Sequence, residues 1–208
     1  MVNGSLGYHN LSSWWLSTFS EAERRYIESV YHPLGTSLSE RLLTQGQITY
    51  SGGTAAMLLS GLATSFYSKS DRRLARLMLT EAKKQAESSK NILDLHFIHQ
   101  GIIKAYYPDR DADPDALDVA IGACEDQIAL APKAAHAFRR EYPGEHLPSH
   151  TGFVKLAIIR EKQKEYAEAI KLSLAAMDQG WAEDWQRRIA RCEKKQSATS
   201  PKRSEDSH

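Results

Sequence analysis

The side chains with most chemical potential in this sequence lie in the run Leu95-His96-Phe97-Ile98-His99-Gln100. On a helix, His96 and His99 are neighbours at i and i+3, near enough to share a metal ion or relay a proton. Zinc needs a third and fourth ligand at recognisable spacing, and none stands out. The surrounding segment is apolar nearly all round, from Ile92 and Leu93 to Ile102, Ile103, Tyr106 and Tyr107. Such a helix is central and largely buried. Its polar stripe of His96, His99, Gln100 and Lys104 must then face a groove or be satisfied internally. The histidines read as structural or groove-lining groups, and neither a metal nor a cofactor is expected.

Two further constellations read the same way. Asp109, Asp111, Asp113 and Asp115 imitate the start of a calcium loop, but Pro114 stands where an EF-hand needs Gly and Ala120 where it needs a bidentate Glu. They form an exposed loop whose last carboxylates cap the next helix. Trp181 and Trp185, with Asp184, Arg187 and Arg188, place indoles beside guanidiniums, an arrangement able to grip a ligand or nucleobase. Aromatics at i and i+4 on a terminal helix more often seal a core. Ser51-Gly52-Gly53-Thr54 offers free amides to an anion, although a plain N-cap by Ser51 or Thr54 is the commoner use. There is no G-x-S-x-G elbow, Walker A loop, H-E-x-x-H or C-x-x-C, so no enzymatic activity is expected.

Composition sets the class. The 208 residues are 41% hydrophobic and 25% charged, ordinary for a globular chain. Lys and Arg total 27 against 26 Asp and Glu, which argues against whole-surface attraction to nucleic acid or anionic lipid. Basic pairs such as Arg72-Arg73 and Arg139-Arg140 are scattered. Two cysteines, Cys124 and Cys192, favour a reducing compartment over a disulfide framework. With no signal-peptide pattern and no apolar run of membrane-spanning length, a cytoplasmic location and no membrane association are expected.

The elements follow from periodicity and breakers. Ser20 with Glu23 has the form of a capping box for a helix near 20–31, stopped at His32-Pro33-Leu34-Gly35. Trp14, Trp15 and Leu16 are expected to cap the body, with a short helix over 38–44 and an extended link over 46–53. Helices are then expected near 54–67, 70–88, 92–107, 115–130, 133–141, 151–163, 166–179 and 182–194. Residues 1–53 form a capping segment, 54–195 a helical-repeat domain and 196–208 a polar tail expected to be disordered.

Within 54–195 a repeat emerges. Phe153, Leu156 and Ala157 precede Tyr166, Ala169 and Ala176; Leu59, Leu62, Ala63 and Phe66 precede Ala75, Leu79 and Ala82. In both units the small residue of the first helix precedes that of the second by the same interval, 63 to 75 and 157 to 169. A middle unit with Phe97, Gly101, Ala120, Cys124 and Pro132 is distorted by an insertion. These residues resemble the tetratricopeptide superfamily, and the segment from Gly180 to Lys195 is similar to the C-terminal part of uncharacterised bacterial proteins of that type. The resemblance implies an all-α fold of antiparallel helix pairs stacked as a short right-handed superhelix with capping helices at both ends.

It also implies a function. In that family the first helix of each repeat lines a concave surface that holds a partner segment. The corresponding positions here are Met57, Ser60, Thr64 and Tyr67, then Leu95, Ile98, Ile102 and Tyr106, then Thr151, Val154, Ile158 and Glu161. Together with His96 and His99, the partner-binding candidates are Tyr67, Ile98, Ile102, Tyr106, Val154, Ile158 and Glu161. Val154 and Ile158 replace the polar residues that clamp a carboxylate in chaperone-binding members, so an apolar peptide or helix is the expected ligand. The leading expectation is a non-enzymatic interaction module or adaptor for another protein or peptide. The alternatives are a nucleic-acid-associated or mobile-element protein using gathered Arg and Lys with exposed Trp, which is possible and not favoured, and a metal-dependent enzyme using His96 and His99.

Overall fold

The computed structural model describes residues 2–31 and 41–199. Among them are ten α-helices, two short 3-10 turns and no strand. The chain divides into two compact units, Met1–Pro108 and Asp109–His208. That boundary falls inside the span read above as one repeat domain. Among the described residues, no helix is long and apolar enough to cross a membrane.

The first unit holds α1 (Gly4–Tyr8), α2 (Ser12–Thr18), α3 (Glu21–Val30), α4 (Ala55–Ala63), α5 (Arg72–Ser89) and α6 (Ile92–Tyr106). Sequence periodicity missed α1 and α2, which are too short to show it. The start of α1 is secured by backbone alone: the amides of Asn3, Gly4, Ser5 and Leu6 donate to the carbonyls of Thr44, Gly46, Leu42 and Leu43. These are amides that a helix start leaves without intrahelical partners. Only glycine fits at position 4, because φ is +59° and a Cβ would lie 2.5 Å from the Leu42 carbonyl. Residues 41–44 of the short helix expected at 38–44 form a turn; 38–40 lie outside the described residues.

The capping box on α3 forms as read, with Ser20 and Glu23 exchanging hydrogen bonds. Trp15 is buried, Trp14 is half-buried against the core, and Leu16 is exposed rather than part of the expected cap. Leu6, Leu11, Trp15, Phe19, Ile27 and Leu43 join the inner faces of α4 and α5 in one core. Within it Ala63 and Ala75 are fully buried, as close helix packing requires. Ile98 and Ala105 of α6 close the layer.

The second unit comprises α7 (Ala116–Glu141), α8 (Thr151–Lys162), α9 (Tyr166–Gln179) and α10 (Trp185–Thr199). Here the sequence reading needs correction. The two helices expected at 115–130 and 133–141 are one, and Pro132 lies inside it. An internal proline costs about 3 kcal/mol. Its ring is on the exposed side, while Ala131, Ala134, Ala135 and Phe138 continue a buried stripe that offsets the cost. Asp115 makes no side-chain cap on α7; Asp113 instead accepts its amide at 3.2 Å within the loop. α10 runs past Lys195 to Thr199, so the tail expected from 196 begins as helix. Residues 200–208 lie outside the described set.

Trp181 and Trp185 are both buried at the centre of this unit. Trp181 meets His150 and Phe138 edge-on at ring distances of 4.7 and 5.9 Å. The Trp185 indole donates to the Trp181 carbonyl at 2.7 Å. Neither indole is a ligand grip, and with Trp15 buried and Trp14 half-buried, none of the four tryptophans is exposed.

Candidate functional site

Two parallel stripes of side chains define a cleft in the first unit. On α4 and the 3-10 turn that continues it (Thr64–Phe66), Met57, Ser60, Gly61 and Thr64 recur at i, i+3, i+4 and i+7, with Tyr67 just beyond. On α6 the facing stripe is Asp94, Phe97, Gln100, Gly101 and Lys104. Thr54, the N-cap of α4, donates its hydroxyl to Asp94 Oδ2 at 2.7 Å and accepts the Met57 amide at 3.0 Å. The N-terminal ends of α4 and α6 are therefore adjacent. At the other end the Tyr67 hydroxyl approaches Gly101, where a Cβ would lie 2.9 Å from it and 2.7 Å from Leu79 Cδ2. The two helices run in the same direction, with α5 connecting them.

The space between them is an open cleft of about 240 Å³. Met57 and Phe97 stand at its rim, 53% and 46% exposed, an arrangement that leaves apolar surface uncovered within this unit. Burial pushes the Tyr67 hydroxyl up to about 12, so it stays protonated and able to donate. Gly61 is the telling position. It sits inside α4, where glycine costs about 0.5–1 kcal/mol relative to alanine, yet a Cβ there would meet nothing within 4 Å. Helix packing does not require this glycine; a side chain there would enter the cleft.

The candidates read from the sequence distribute unevenly around this geometry. Met57, Ser60, Thr64 and Tyr67 line the cleft together. The α6 positions do not: Ile98 is fully buried in the core, and Leu95, Ile102 and Tyr106 pack against that core from its edge. Tyr106 is also covered by the Arg76 guanidinium, 4.0 Å above its ring. The stripe that faces the cleft is rotated by one residue, through Asp94, Phe97 and Gly101. His96 and His99 are 2% and 4% exposed and do not line this cleft. Burial, with the charge of His99 adding to it, lowers His96 to about 4 and keeps it neutral. Among the described residues no group of three or more His, Cys, Asp or Glu is placed to hold a metal.

In the second unit Val154 and Ile158 are half-buried on α8. Glu161 is not available to a partner, because α10 uses it: Arg191 grips both carboxylate oxygens at 2.9 and 2.8 Å, Lys195 approaches at 2.8 Å and Arg188 at 3.7 Å. The hydrogen bonds from Arg191 and Lys195 hold its carboxyl down near 2. The stabilisation it lends is complete above the usual carboxylate value of 4.5 and is lost as pH falls through 2. Glu161→Gln is expected to cost about 1–2 kcal/mol in urea unfolding, less at high salt, because the pairs are partly solvated. An unchanged midpoint at low salt would show the network to be energetically idle. A second hollow of about 170 Å³, lined by Phe138, Tyr142 and residues 145–148, was missed. Its available signal was the i, i+4 aromatic pair before Pro143-Gly144.

Compared with protein families, curated proteins and solved structures, the chain has no match.

Proposed function

We propose that this chain is a non-enzymatic interaction module in which tetratricopeptide-like helix pairs present the α4–α6 cleft to a segment of a partner protein. The observation that carries this is the cleft itself: two helices running the same way, apolar residues exposed at its rim, and a glycine left open where the helix would be steadier with a side chain. The pairing of Ala63 with Ala75 and of Ala157 with Ala169, all fully buried, supports the repeat reading of the helix pairs. The free, buried thiols of Cys124 and Cys192 fit a reducing compartment.

Binding in such a cleft rests on apolar area, so Phe97 and Met57 are its expected anchors. The test is a peptide-display selection against the full chain, followed by titration of the recovered peptides. Phe97→Ala is expected to weaken them by about tenfold or more, which corresponds to about 1.4 kcal/mol. Gly61→Ala is expected to raise stability by about 0.5–1 kcal/mol, while the bulkier Gly61→Gln blocks the same peptides. Peptides that bind both Phe97→Ala and Gly61→Gln as well as the parent chain would remove the cleft from consideration.

A further inference from the structure

The cleft has an acidic residue at one end and a basic one at the other, and neither is in an ion pair among the described residues. Asp94 is 5% exposed, and its Oδ2 takes the Thr54 hydroxyl. Its Oδ1 has no hydrogen-bond partner among the described residues, although the side chain lines the cleft. At the opposite end Lys104 is exposed and makes no ion pair among the described residues. The α6 dipole favours an acid in its first turn and a base in its last. That preference accounts for the two charges being on α6; it does not account for both being turned into one cleft, or for a carboxylate so deeply buried with an open oxygen.

From this geometry we infer the class of ligand: an extended peptide segment with a basic side chain at one end, an apolar one at its centre and an acidic one at the other. The inference rests on the interaction reading above and makes it chemically specific. Asp94 and Lys104 are ten residues apart on α6, about 15 Å along the axis, the length of about four to five extended residues. A free amino acid carries its two charges far too close together to reach both. The cleft takes a central side chain between Met57 and Phe97, and its volume of about 240 Å³ is too small for the apolar face of a whole helix. Ser60 and Thr64 line the stretch between the ends; their hydroxyls donate to the Met57 and Gly61 carbonyls at 3.2 and 2.7 Å and keep acceptor lone pairs for the extended backbone of the ligand. The two end charges then act chiefly as selectors: a like charge at either end is rejected, and a matched one fixes the register.

The test uses an array of acetylated, amidated pentapeptides with central leucine or phenylalanine and every combination of lysine, glutamate and glutamine at the two ends. Blocked termini ensure that only side-chain charge is read. Peptides with one lysine end and one glutamate end, in either order, are expected to bind the full chain about tenfold tighter than the glutamine-ended ones. With Lys104→Glu the preference moves to lysine at both ends; with Asp94→Asn it moves to glutamine and glutamate. Asp94→Asn keeps an oxygen for Thr54, and Lys104 is exposed, so both variants are expected to fold, with circular dichroism as the check. If every charge combination binds alike, the charge assignment is wrong and the apolar interaction reading stands. The same holds if the two variants change thermal stability without moving the preference, which would make Asp94 and Lys104 helix stabilisers only. If neither this array nor display-selected peptides bind, both readings fall.

Discussion

Gly152→Ala is expected to be among the most damaging single substitutions in the second unit, and for a reason confined to a few atoms. Gly152 lies in the first turn of α8 against the middle of α7. A Cβ at that position would stand 2.9 Å from the Cys124 backbone carbonyl, 2.9 Å from Gln127 Oε1 and 3.2 Å from His150 Cε1. The first of these is backbone and cannot rotate away. The second is the acceptor for the Gly152 amide, bonded at 2.7 Å from a fully buried glutamine. Relief therefore requires α8 to move off α7, and the movement breaks the bond that satisfies a buried donor at the helix start. Overpacking of this kind costs about 1–3 kcal/mol and the lost buried bond a similar amount. A total of about 3 kcal/mol would lower the melting temperature of a unit this size by on the order of 10–20 °C. The control lies on the facing helix: Gly122 is interior to α7 and its Cβ would meet nothing within 4 Å. Gly122→Ala is expected to stabilise by about 0.5–1 kcal/mol. Calorimetry of the two variants should therefore give shifts of opposite sign, and a Gly152→Ala chain that melts like the parent would show that the two helices pack more loosely than described.

How much of this was readable beforehand depended on contrast within each helix. α4 and the turn after it have an apolar stripe through Ala56, Leu59 and Ala63 and a small polar one through Ser60, Gly61 and Thr64, a contrast consistent with the cleft face that the tetratricopeptide resemblance implies there. α6 lacks that contrast. With Leu93, Leu95, Phe97, Ile98, Ile102 and Ile103 in one helix, hydrophobic period does not choose a face, and Ile98 was placed on the wrong side by one residue. The tertiary environment decides, since Ile98 closes the core while Phe97 is left outside. Pro132 misled for another reason: local preference argues for a stop, and burial on the far side of α7 overrides it. Glu161 was a sound surface candidate until α10 folded three cations around it, a pairing across thirty or so residues that no local pattern contains. Asp94 does not stand out in the sequence, because the contact with Thr54 that places it at the cleft joins residues forty positions apart. Long-range juxtaposition, more than element type, is what the sequence conceals.

Acidification between pH 7 and pH 5 is expected to cost the first unit about 2 kcal/mol through His96 alone. The sign follows from where the proton prefers to be. In the unfolded chain His96 titrates near its usual 6.5; in the folded unit burial, and secondarily His99, lowers it to about 4. Between those values the unfolded state binds the proton and the folded state does not, so falling pH favours unfolding. The loss begins as pH drops through 6.5, grows to about 3 kcal/mol and levels off below 4, where both states are protonated. Because the imidazole is only 2% exposed, solvent cannot screen the charge it would acquire. Urea denaturation at a series of pH values reads this directly, and His96→Gln should remove that share of the slope while shifting stability at pH 7 in its own way. Should the variant not fold, the parent chain answers instead: an NMR titration in which the His96 ring takes up its proton above pH 6 would contradict the burial on which the effect depends. The same neutrality bears on the proposed function: an imidazole that stays uncharged above pH 5 and lines neither cleft contributes packing to α6, and the proposed recognition rests on the stripe one residue away.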